Sequence, residues 1–94
     1  MPSYRAVLSI GDVYPGHYPD EVLDAAVTAV STSATVEHTD IRIVSNVPQI
    51  IVRFYLDDGD AQRIAEDMRN AVCAVASVGS GRLLMRRSGR WVSV

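Results

Sequence analysis

The sequence predicts an α+β domain whose elements run strand, helix, strand, strand, helix, strand, strand. Its antiparallel sheet is covered by helices on one face. Three observations lead there. Gln49 to Asp57 alternates, placing Ile50, Val52, Phe54 and Leu56 on one side and Gln49, Ile51, Arg53 and Tyr55 on the other. That is the pattern of a strand with one face in a core. Two segments, roughly 19–31 and roughly 60–76, carry apolar residues at helical spacing. The carboxyl end folds back on itself at Ser88-Gly89 in a register that sorts its apolar residues onto one face.

Each element has its own justification. Tyr4 to Ile10 is the first strand, with Tyr4, Ala6, Leu8 and Ile10 inward and Arg5, Val7 and Ser9 outward. Gly11 to Tyr18 reads as a loop punctuated by Pro15-Gly16. Pro19 suits a first helical turn, Asp20 and Glu21 suit the positive end of the helix dipole, and Val22, Leu23, Ala26, Val27 and Val30 form the stripe. Thr35 to Ser45 is the second strand, with Ile41 and Ile43 toward the core and Asp40, Arg42 and Val44 away from it. Asn46-Val47-Pro48 then turns into the third strand. The acids Asp57, Asp58 and Asp60 read as a helix start in which Asp58 or Asp60 accepts free amide hydrogens. Ala61, Ile64, Ala65, Met68, Ala71, Val72 and Val75 continue as a stripe to about Ala76, and Val78 to Gly81 turns the chain. In the final hairpin Met85 faces Val92 and Leu83 faces Val94, while Arg86 faces Trp91 and Leu84 faces Ser93.

The first six elements make the split βαβ, or ferredoxin-like, arrangement, in which the strand order is 4-1-3-2. A fifth strand hairpinned to the fourth gives 5-4-1-3-2 for one domain spanning 1–94. Nine arginines with no lysine stand against eleven acids, for a net charge of −2. The arginine bias suits a GC-rich bacterial genome, and the balance argues against a general polyanion binder. No apolar run reaches the roughly 20 residues a membrane span needs, and nothing after Met1 reads as a signal region. A cytoplasmic protein with no membrane association is expected. The single Cys73 beside the stripe of the second helix reads as a buried or half-buried structural thiol.

Two helices cover one side of a sheet, so the other face is where function is expected. Its outward residues include Val7, Arg42, Ile51, Arg53, Tyr55, Arg82, Arg86 and Trp91. Aromatic residues and arginine are enriched at interfaces, which points to homo-oligomerisation or association with another protein, with Val7, Ile51, Tyr55 and Trp91 as anchors. The same residues suit single-stranded nucleic acid, with Tyr55 and Trp91 as stacking platforms among the arginines.

A third reading places a small molecule at the first loop, on Asp12, Tyr14, His17 and Tyr18. There Asp12, Pro15 and Gly16 resemble the first loop of ACT domains, which implies a regulatory site for an amino acid. The resemblance covers that loop alone. Other families of this topology fail at their motifs. The central strands lack the Gly-aromatic signatures of RNA-recognition motifs. The first loop has neither the arginine of an acylphosphatase nor the Cys-x-x-Cys of a metal chaperone. The acids at 57–60 lack the spacing of a calcium loop, and no serine lies in a nucleophile elbow. No cofactor, metal site or catalytic residue is expected, and the protein reads as non-enzymatic.

Overall fold

The computed structural model describes residues 2–57 and 59–94; Asp58, one of the two expected capping acids, lies outside the described residues. Strands β1 (Ser3–Val13), β2 (Thr35–Val44), β3 (Val47–Tyr55), β4 (Ala76–Arg87) and β5 (Arg90–Ser93) form one sheet in the order β2-β3-β1-β4-β5. Every neighbouring pair is antiparallel. This is the expected ferredoxin-like order read from the opposite edge. Helices α1 (Pro19–Ser31) and α2 (Ala61–Cys73) pack on one face.

The core forms because one face of each central strand and one stripe of each helix are apolar. Ala6, Leu8 and Ile10 of β1 and Ile50, Val52 and Phe54 of β3 meet Val22, Ala26 and Val30 of α1 and Ile64, Met68 and Val72 of α2. Tyr4 stacks on Phe54 with ring centroids 5.5 Å apart. Pro19 opens α1, as the first turn permits. Asp60 opens α2, its carboxylate accepting hydrogen bonds from the backbone N–H groups of Gln62 and Arg63 at 3.0 and 3.4 Å.

Both hairpins turn on two consecutive residues with positive φ, Ser45 and Asn46 in one and Ser88 and Gly89 in the other. Such turns match the twist of the strands they join. The β4–β5 register is the expected one, with Met85 facing Val92, Arg86 facing Trp91 and Leu84 facing Ser93. The β2–β3 turn, in contrast, is Ser45-Asn46 rather than 46–48, so Val47 and Pro48 already belong to β3.

Glycines account for the other departures. β1 continues to Val13 and β4 begins at Ala76, so Gly11, Asp12 and the 78–81 segment are strand rather than loop and turn. The β1–β4 register shifts twice in this region. At those irregularities serine hydroxyls replace ladder partners. Ser80 N–H donates to Ser9 Oγ at 2.7 Å, and Asp12 N–H donates to Ser77 Oγ at 2.8 Å. A Cβ on Gly79 would sit 2.6 Å from Ser9 Oγ, and one on Gly11 would collide with Ser77 Oγ. These glycines admit a serine from the facing strand; they do not end the strand.

Two sequence expectations of burial also give way. Ile41 and Ile43 lie on the helix side of β2 but are exposed, since β2 is the edge strand of the sheet. Cys73, at the last turn of α2, is exposed. No helix among the described residues is long and apolar enough to cross a membrane.

Candidate functional site on the open sheet face

Directly opposed residues of antiparallel neighbours share a face, so the strand registers lay out the uncovered side as rows across the sheet. One row carries Leu84 of β4, Arg5 of β1, Arg53 of β3 and His38 of β2. The next carries Arg82, Val7, Ile51 and Asp40. Beyond it lie Ser9, Gln49 and Arg42, and then the hairpin end with Val44 opposite Val47. On the other flank lie Ser3, Tyr55 and Thr35, with Arg86 paired to Trp91 at the β4–β5 edge.

Trp91 does more than face its neighbour. Its indole reaches inward from the edge, and the Arg5 guanidinium, two strands away, lies 4.4 Å from the ring centroid. Arg53 follows at 5.4 Å and Arg86, the direct cross-strand partner, at 5.9 Å. Such contacts act within about 6 Å, so Arg5 makes the closest and Arg86 stands at the limit.

The far end of this row is closed by Glu37. A bulge between Val36 and His38 leaves Glu37 as the extra residue of β2. Its carboxylate approaches Arg53 Nε at 2.9 Å and accepts a hydrogen bond from Ser3 Oγ at 3.0 Å. The approach to Arg53 is an ion pair by distance, but the Nε–H does not point along it. Among the described residues Arg53 Nε and Arg5 Nε are both buried without an aligned acceptor.

Charge on this face is uneven. Five arginines, Arg5, Arg42, Arg53, Arg82 and Arg86, share it with the acids Glu37 and Asp40. Asp40 pairs with Arg42, whose Nε donates at 3.2 Å, and it also accepts the N–H of Ile41 at 2.8 Å. Those two hydrogen bonds, the one from Arg42 first, hold the Asp40 carboxyl below its ordinary value. Arg5 is held below the ordinary guanidinium value by burial first and then by the like charges of Arg42, Arg53 and Arg86, with Asp40 opposing. Among the described residues neither Arg5, Arg82 nor Arg86 has a carboxylate within ion-pair distance.

The expected anchors divide. Val7 and Ile51 are only 5% and 6% exposed, although no layer covers this face. Tyr55 and Trp91 are half-buried, and Arg82 and Arg86 are exposed. The apolar surface of this face that does reach solvent lies at the hairpin end, where Val44 is 48% and Val47 42% exposed, while Ile41 and Ile43 are exposed on the helix side of the same hairpin. Alternation assigns these residues to the open face but cannot show that neighbouring side chains already cover its centre. The Arg5 contact was equally hidden, since it spans two strands. Glu37 escaped because a bulge resets the alternation.

The first loop does not gather its residues. Asp12 sits in β1 and turns its backbone N–H to Ser77. Tyr14 and His17 are joined by a backbone hydrogen bond of 3.1 Å, and His17 Nδ1 lies 2.7 Å from Glu21 Oε2. Asp12, Tyr14, His17 and Tyr18 are all exposed. On the helix side, α2, β1 and β4 line a cleft of about 140 Å³, below the ordinary size of a small-molecule site. No group of three or more histidine, cysteine or acidic residues among the described residues could hold a metal.

No protein-family model matches the chain, and no curated protein matches it. The functional reading therefore rests on this face.

Proposed function

We infer that the protein is a non-enzymatic association module that works as a homo-oligomer, joined through the hairpin end of its open sheet face. One observation carries this reading. Val44 and Val47 are exposed side by side on this face at the β2–β3 tip, with Ile41 and Ile43 exposed on its other side, and exposed apolar clusters mark contacts. Residues 43–49 carry no charge. Two copies of this segment can therefore meet without like-charge repulsion, whereas the arginine-bearing rows would oppose their own copies. The contact accordingly centres on Val44 and Val47 instead of Val7 and Ile51.

Association with single-stranded nucleic acid through stacked aromatics has less support, since Arg5 already lies over the Trp91 ring. The test of self-association is solution mass by size exclusion with light scattering across a concentration series. The native protein is expected as a dimer or larger species, and Val44→Asp as a monomer with an unchanged circular dichroism spectrum. A native monomer at every concentration would overturn the reading.

A further inference from the structure

We propose that the opposite end of the same face, where Arg5 and Arg86 flank Trp91, is a binding site for a dianionic phosphate group. The chain as a whole is acidic, with a net charge of −2. Three guanidinium groups nevertheless lie 4.4, 5.4 and 5.9 Å from the centroid of one indole. Among the described residues only Arg53 of the three has a carboxylate beside it, that of Glu37. Arg5 and Arg86 are left as two uncompensated cations among the described residues, and the buried Nε of Arg5 has no acceptor. Like charges gathered around an aromatic ring repel one another, and an under-satisfied guanidinium is costly.

Two positive charges match the charge of −1.5 to −2 that a phosphate monoester carries near neutral pH. The planar guanidinium fork matches phosphate oxygens bidentately, so arginine in place of lysine is the side chain such a site requires. Arg86 is exposed and Arg5 and Trp91 are half-buried, so an anion can approach from solvent against a partly dry wall. Arg82, also without a carboxylate partner among the described residues, stands one row from Arg5 and adds to the field.

Trp91 is the only tryptophan and lies inside the cluster. Its emission therefore reports occupancy directly. The native protein is titrated with inorganic phosphate at constant ionic strength, beside a chloride series and an octathymidylate series. The expected result is a saturable change in Trp91 emission with phosphate and none with chloride. Arg86→Gln, at an exposed position that leaves the fold intact, weakens the phosphate midpoint about tenfold, the loss expected for one charge-assisted contact. Arg63→Gln, on α2 and away from this face, leaves it unchanged. Octathymidylate binding at or below the strength of phosphate supports a free phosphate monoester as ligand. Saturation by the oligonucleotide without saturation by phosphate overturns the proposal. So does a phosphate response equal to that of chloride, or one that Arg86→Gln does not weaken.

Discussion

Trp91→Leu should cost about 2–3 kcal/mol, and a double-mutant cycle should show where that cost arises. A fully buried tryptophan covers about 150–250 Å². Trp91 is half-buried, and leucine keeps part of that contact. The lost area accounts for about 1 kcal/mol at ~25 cal/mol per Å². The remainder comes from the arginines. Arg5 stands 4.4 Å from the ring centroid, close enough for a coupling of about 1 kcal/mol on a partly desolvated face, while Arg86 at 5.9 Å is at the edge of the interaction. Pairing Trp91→Leu with Arg5→Met, which keeps the aliphatic stem, should give a coupling of about 1 kcal/mol. Pairing it with Arg86→Met should give no more than about 0.3 kcal/mol. Urea denaturation followed by far-ultraviolet circular dichroism reads both without needing the tryptophan. Strand adjacency alone predicts the reverse ranking, since Arg86 is the direct partner of Trp91. An Arg86 coupling equal to or above that of Arg5 would refute the cross-sheet arrangement.

Asp40→Ala should raise the tendency of the β2 edge to add strands, because the Asp40 carboxylate now occupies the N–H of Ile41. Light scattering during prolonged incubation would show faster growth of large species than in the native protein. The carboxyl of Asp40 has a lowered pKa in the fold, so its stabilising contribution is full above the unfolded value of about 3.9 and is lost as pH falls through the folded value. Urea midpoints of native protein and Asp40→Asn should accordingly converge below about pH 4. Gly79→Ala should cost about 1–3 kcal/mol, since its Cβ would meet Ser9 Oγ at 2.6 Å, and adding Ser9→Gly should recover part of the loss. Asp60→Ala should cost about 1 kcal/mol in thermal or urea unfolding, because two backbone donors of α2 lose their acceptor.

Much of the fold was legible because periodicity is a local property. Val22, Ala26 and Val30 marked α1, Ile50 to Leu56 marked β3, and the pairing of Met85 with Val92 set the last hairpin. What failed depended on a partner the sequence does not name. Gly79 and Gly81 read as a turn because glycine usually ends an element; here Ser9 and Leu8 on the facing strand require its small size. Ile41 and Ile43 read as core because their phase is right, but phase cannot tell that their strand lies at the edge of the sheet. Arg53 and Trp91 were legible as outward residues. Their meeting with Arg5 and Glu37 depended on strand order and on a bulge, which are long-range facts.

Whether copies of the chain join at the uncharged hairpin end is open to direct measurement. The measurement that tests it most directly is the solution mass of native protein beside Val44→Asp, by size exclusion with light scattering. At least twice the monomer mass is expected for the native chain, and the monomer mass for the variant. A native protein that stays monomeric as concentration rises, or a variant that keeps the native mass, would contradict that expectation.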